Sequence, residues 1–224
     1  MSRASILGKV RSALNATTDD TERQATVAAR LRDLPRVTPP QRVAAPNTDL
    51  VACFVGELER QLATVKEVGD PSEIPPAIAE YLRAQNQPLG LRHGSDPRLA
   101  DLDFSAVPNF EVKTGPALPD DSCGLSYAFA GVAETGTMAL LSGPENPVTL
   151  GFLPDTHIII VPRDRILATY EDAFSLLSKE KGAGAMPRTL NLISGPSRTA
   201  DIGGRIVIGA HGPRRLLALV TAQL

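Results

Sequence analysis

At 224 residues and 42% hydrophobic content, the chain can bury a core as one sizeable domain with an extension. Twenty-three Lys and Arg against 25 Asp and Glu leave a formal net charge of −2, which gives no general case for nucleic acid as a partner. No apolar run approaches the roughly 18 residues of a membrane helix, and the start lacks the apolar segment of a secretion signal, so the expectation is no membrane span and a cytoplasmic setting.

Charge is unevenly placed. Residues 1–45 hold eight Arg or Lys against four acids, net +4, and the remainder is −6. A basic arm on an acidic body can fold back, reach a second copy of the chain, or meet an acidic partner, and a solvated tail is the plain alternative. Ile6, Leu7, Val10, Ala13 and Leu14 recur at helical spacing after Ser2 or Ser5 as a cap, which predicts a short helix over 3–14. Residues 15–47, with Thr38-Pro39-Pro40 and Ala45-Pro46-Asn47, read as an extended linker because proline opposes both helix propagation and ladder donation. The expected organisation is therefore a basic helical arm over 1–46 and an α/β domain over 47–224.

In the domain, Leu50, Val51, Phe54, Leu58, Leu62 and Val65 mark one face of a helix over about 48–63, with Asn47 or Thr48 available as its cap. Pro75 and Pro76 suit the first turn of a second helix that faces Ile78, Tyr81 and Leu82 inward. Strands are expected at 88–92 and 110–113, followed by a loop at 115–122. Two apolar runs over 123–142 flank Glu134-Thr135-Gly136-Thr137, which reads as a hairpin turn. His157–Val161 is a buried strand before Pro162, and Tyr170–Lys179 is a helix with Phe174 and Leu177 on its apolar face. Leu190–Ser194, Ile206–Gly209 and Leu216–Thr221 supply further strands. Strands alternating with helices argue a layered α/β fold, mostly parallel, with one antiparallel hairpin.

Cys53 and Cys123 are the only cysteines, with no CxxC and no neighbouring His pair, so the chain alone cannot ligate an iron–sulfur cluster or a structural zinc. The segment Ser194-Gly195-Pro196-Ser197-Arg198-Thr199-Ala200-Asp201-Ile202 follows a strand, where open α/β sheets place ligands. Gly195 permits close backbone approach, Ser197 and Thr199 offer hydroxyls, and Arg198 offers a planar fork for carboxylate or phosphate. An ordinary turn with a surface Arg198–Asp201 pair explains the same residues. Glu134 is a candidate base or nucleophile, or a turn acid that accepts backbone hydrogen bonds. His157 and His211 stand at strand ends as further candidates, and the spacing of histidines and acids shows no metal-ligand pattern.

Taken in order, Ala133-Glu134-Thr135-Gly136-Thr137, Leu141-Ser142-Gly143, Leu153-Pro154 with His157, Val161-Pro162, Gly195–Ile202 and His211-Gly212-Pro213 resemble the lactate utilization protein C family, whose members carry a LUD domain. The resemblance covers about residues 48–222, and the Arg-rich helix over 3–14 is similar to that family's N-terminus. It implies a layered sheet flanked by helices like that of sugar-phosphate isomerases and CoA transferases. It also implies a role beside iron–sulfur partner proteins in oxidising L-lactate to pyruvate, with the clusters in the partners and no cofactor on this chain. Tyr127 and Phe129 depart from the pattern, standing where smaller or more polar residues are expected. Relatives of the fold leave two other readings open: a carboxylate-activating, CoA-transferase-like enzyme using Glu134 with Arg198 holding the anion, and an assembly subunit without chemistry. With the lactate role goes the expectation of a small carboxylate or other anion as ligand, and self-association is left open.

Overall fold

The computed structural model describes residues 2–15, 20–32, 38–182, 184–201 and 203–222. The chain divides into two compact units, Met1–Thr38 and Pro39–Leu224. The first holds two helices. α1 (Arg3–Ala13) starts at Ser2, whose hydroxyl accepts from Ser5 N, and its Ile6, Leu7 and Val10 stay exposed. α2 (Thr21–Arg32) occupies part of the stretch expected to be extended. That segment contains neither Pro nor Gly, Asp20 accepts from Arg23 N at its start, and Glu22 and Arg30/Arg32 complement the helix dipole at its two ends. The prolines of the stretch all follow this helix in sequence and so do not prevent it.

The larger unit begins before the boundary expected after Pro46. A short helix α3 (Gln41–Ala44) buries Val43 in the domain core. α4 (Leu50–Arg60) follows, capped by Asp49 and not by Asn47 or Thr48. Asn47 is in the left-handed region at φ 66° and Thr48 spends its hydroxyl on Ala45 O, which leaves the Asp49 carboxylate to accept from Val51 N and Ala52 N. The helix ends sooner than expected, with Leu62 at φ 68° and exposed.

Then come β1 (Thr64–Val68), α5 (Ile74–Ala84), β2 (Gly90–His93), α6 (Pro97–Ala100), β3 (Glu111–Thr114), β4 (Cys123–Tyr127), β5 (Ala130–Val132), β6 (Thr137–Leu141), β7 (Thr156–Pro162), β8 (Ile166–Leu167), α7 (Tyr170–Lys181), β9 (Leu190–Ile193), β10 (Arg198–Thr199), β11 (Val207–Ile208) and β12 (Arg215–Thr221). Among the described residues, β1-β12-β7-β4-β2-β3 form a parallel sheet of six strands. Helices cover both faces. Ile158, Ile160, Leu217 and Leu219 meet α5 through Ile74, Ile78 and Leu82, whereas Ile159, Val161, Ala218 and Val220 meet α4 through Phe54 and Leu58. Two-sided burial is why β7 reads as a continuous apolar run.

A second, four-stranded sheet has the order β8-β5-β6-β9 and packs against the α4 face through Met138 and Leu140. The expected hairpin is its β5–β6 pair, antiparallel with Val132 opposite Thr137. Gly136, at φ 61°, closes it against α4, where a Cβ would sit 2.5 Å from Leu58 N. Leu190–Ile193 is an antiparallel edge of this second sheet and only half-buried, not a buried strand of the main sheet. Arg198–Thr199 pairs with Val207–Ile208 as a separate two-stranded ribbon. α7 buries Ala173 and Leu177, but Phe174 is 44% exposed and off its apolar face. Among the described residues no helix is long and apolar enough to cross a membrane.

Candidate functional site

The segment leaving β9 passes against the end of α4. A Cβ on Gly195 would lie 2.8 Å from Gln61 O, so only glycine allows this approach. Beyond it, Ser197 is fastened to the loop before β12: its N–H donates to Pro213 O at 2.8 Å, its carbonyl accepts from Gly209 N at 2.9 Å, and its hydroxyl accepts from His211 N at 3.4 Å. Ile202, the last residue of the motif, lies outside the described residues.

Ser194, Gly195 and Pro196 form a wall shared by two cavities. One, of about 410 Å³, is lined by Arg198, Thr199 and Gln61, and Arg198 Nη2 donates to Gln61 Oε1 at 2.9 Å. The other, of about 330 Å³, is lined by Gly151, His157, Ser197 and His211. Gly195, Ser197, His157 and His211 thus meet at one cavity, with Arg198 and Thr199 on the other side of the same wall. Asp201 is turned to solvent, its carboxylate 4.0 Å from Nε2 of His211, which is also exposed, and Thr199 Oγ1 accepts from the Asp201 N–H.

His157 is buried to 1% exposure, and burial holds its pKa down to about 3. It is a neutral imidazole and adds no positive charge. Nε2 lies 2.9 Å from Ser126 Oγ, and Nδ1 is buried without a partner among the described residues.

Glu134 lines neither cavity. Its Oε1 accepts from Tyr170 N at 3.0 Å, at the first residue of α7, and its carbonyl accepts from the Arg42 guanidinium. A carboxylate there complements the positive end of the helix dipole. The turn nonetheless reaches the 195–201 loop through a set of hydroxyls. Thr137 Oγ1 lies 2.7 Å from Thr135 Oγ1, 2.7 Å from Tyr170 OH and 2.6 Å from Ser194 Oγ. Both segments stand at one end of the smaller sheet.

Sequence reasoning passed over Ser126, Thr137, Gly151, Tyr170 and Gln61. Ser126 carried a signal, being a hydroxyl inside a buried strand that must find a partner. It also passed over a crevice of about 550 Å³ where the carboxyl ends of β2 and β4 meet and the strand order changes direction. Open α/β sheets bind ligands in such crevices. Here two of the three lining cations, Arg98 and Arg165, are already matched by carboxylates, and Lys181 is the third. Arg98 holds Asp96 through two bonds, 2.9 and 2.6 Å, with its face 3.7 Å over the Tyr127 ring, and Arg165 holds Glu180 at 2.9 Å. Arg198, bonded to the neutral Gln61 amide, is a cation that an anion can reach without displacing a carboxylate.

The LUD domain family model matches residues 120–221. The chain is 37% identical over 178 residues to lactate utilization protein C of Geobacillus thermodenitrificans, an alignment that takes in 76% of this chain and 69% of that protein. The chain belongs to the LUD domain family. It is also 35% identical over 137 residues to an uncharacterized protein of Neisseria meningitidis serogroup B, covering 59% of this chain but only 58% of that relative's length. Among solved structures, a DUF162 family protein from Deinococcus radiodurans superposes with a TM-score of 0.56 over 79% of this chain and 99% of that one. At 19% identity that likeness concerns the fold. The LUD match runs from the residues before β4 to the end of β12, so it contains His157, His211, Glu134 and the Arg198 loop, while Gln61 and Arg42 lie outside it.

Proposed function

We propose that this chain is a subunit of an L-lactate utilization system in which iron–sulfur partner proteins oxidise L-lactate to pyruvate, and that it holds a small carboxylate at Arg198. The observation that carries this reading is the 37% identity over 178 residues with a lactate utilization protein C. Cysteine chemistry supports placing the clusters in the partners. A cluster takes four thiolates as a rule, this chain has two cysteines, and burial pushes the Cys123 thiol pKa up, away from the thiolate a metal requires. Arg198 suits a carboxylate because its planar fork can bond both oxygens, and exchanging a neutral Gln61 contact for an anion breaks no ion pair.

The bond from Tyr170 N assigns Glu134 to the start of α7 and counts against its use as a nucleophile. The test is isolation of native complexes through this chain, followed by lactate-dependent electron transfer with and without it. Co-purification of iron–sulfur proteins and loss of transfer in its absence are the expected results. Transfer that proceeds undiminished without the chain would remove it from the reaction, and complexes that form normally with Arg198→Ala yet lose transfer would separate ligand binding from assembly.

A further inference from the structure

The cavity behind the Ser194–Pro196 wall differs chemically from the Arg198 side. Its lining includes the apolar Phe152, Ile193 and Leu216, and its polar side chains are His157, Asn191, Ser194, Ser197 and His211. Arg198 does not line it, and His157 is neutral. Among the described lining residues there is therefore no fixed cation for a carboxylate to meet.

The imidazole is nevertheless held as a binding group would be. Nε2 is fixed at 2.9 Å by Ser126 Oγ on the neighbouring strand, and both residues are about 1% exposed. The ring edge formed by Cε1 and Nδ1 lies beside Gly151, a residue of the cavity lining. A Cβ at residue 151 would stand 3.3 Å from Cε1 and 3.6 Å from Nδ1, so the glycine leaves that edge uncovered by any side chain of its own. Nδ1 lacks a partner among the described residues, and leaving a buried polar atom unpaired costs about 1–3 kcal/mol. Such an atom calls for an occupant.

We infer that this cavity takes the uncharged hydroxyl or carbonyl end of a small ligand, with His157 Nδ1 as the hydrogen-bonding partner. The Ser126 hydroxyl makes His157 able to serve either group. When Nε2–H donates to Ser126, Nδ1 presents a lone pair and accepts from an alcohol. When the Ser126 hydroxyl turns to donate to Nε2, the proton resides on Nδ1, which then donates to a ketone. An alcohol and the ketone at the same carbon are thus both accommodated when the Ser126 hydroxyl rotates and the ring proton passes from Nε2 to Nδ1 by exchange with solvent, with no change in net charge. Arg198 lies on the other side of the Ser194–Pro196 wall, so this site goes beyond the carboxylate site of the lactate reading and stands on the cavity alone.

The test uses the full chain with 15N-labelled histidine and two uncharged probes that differ at one carbon, lactamide and pyruvamide. Long-range 1H–15N correlation spectra report the protonation of each ring nitrogen. Lactamide is expected to hold His157 in the Nε2–H form with Nδ1 accepting, and pyruvamide to move the Nδ1 signal toward its protonated position. His157→Phe keeps an aromatic ring and should weaken both probes at least tenfold. Should that variant fail to fold, Gly151→Ala serves, because its methyl group covers the ring edge while His157 remains as reporter, and it should abolish both responses. An Nδ1 signal that is already hydrogen-bonded in the free protein and unmoved by either probe would mean that a resident water satisfies it, which overturns the inference. Probe binding that survives Gly151→Ala unchanged overturns it as well. Neither result bears on co-purification with iron–sulfur proteins, so a failed cavity and a failed lactate reading are told apart.

Discussion

Thr137 Oγ1 lies 2.6 Å from Ser194 Oγ, joining the turn that carries Glu134 to the loop that carries Arg198. Thr137 is fully buried, and the same hydroxyl serves Thr135 and Tyr170. Thr137→Val keeps the shape and removes the shared atom, leaving Ser194 and Tyr170 each one partner short. The expected loss is about 1–3 kcal/mol in urea denaturation, with Thr137→Ser closer to the parent. A Val variant as stable as the parent would mean the hydroxyls are satisfied by solvent and the two segments are not tied.

The anion site proposed for the 195–201 loop rests on one side chain. Arg198 is exposed and bonded to a neutral amide, so replacing it should shift thermal stability little. Arg198→Lys keeps the charge and loses the two-pronged geometry, and it should weaken L-lactate or pyruvate binding, with Arg198→Ala weaker still. Calorimetric titration measures this. Equal affinity in all three proteins would return Arg198 to the role of a surface residue.

What the sequence made legible follows from local pattern. β7 could be read because burial on both faces leaves a run of apolar residues, and α5 because prolines are tolerated at its first turn. The β5–β6 hairpin was visible in Gly136. α2 was hidden because its faces are polar and the neighbouring prolines suggested extension. β9 reads like any short apolar strand, and nothing local says that it edges a second sheet. The site was legible as a set of motifs but not as a geometry. The Ser126–His157 contact spans 31 residues of chain and the Arg198–Gln61 contact 137, distances over which no spacing rule operates. The neutrality of His157 is likewise a property of burial, which a residue in sequence does not display.

The boundary between the two units yields a third expectation. Removing residues up to Thr38 leaves the larger unit whole and should preserve its cooperative unfolding. Removing residues through Pro46 also strips Val43 from the core and Arg42 from the Glu134 carbonyl. The buried valine alone contributes about 1.5–3 kcal/mol, so the longer deletion should unfold at clearly lower urea. Identical midpoints for the two truncations would place Val43 outside the working core.

Burial of a neutral histidine makes stability depend on pH in a direction that can be worked out. In the folded chain the His157 pKa lies near 3, and in the unfolded chain an ordinary histidine titrates near 6.5. Between these values the unfolded state binds the extra proton, so stability falls as pH falls, by about 1.4 kcal/mol per unit. Above pH 6.5 the term vanishes. From pH 7 to pH 5 the histidine should therefore cost about 2 kcal/mol, a loss that His157→Phe does not suffer. Carboxylates elsewhere titrate in both proteins alike, so the quantity to follow is the difference in unfolding free energy between parent and variant at pH 7, 6 and 5. The parent should lose ground to the variant steadily over that range. A difference that stays constant with pH would mean that His157 accepts a proton while folded, and with it the neutral partner required in the cavity would be lost.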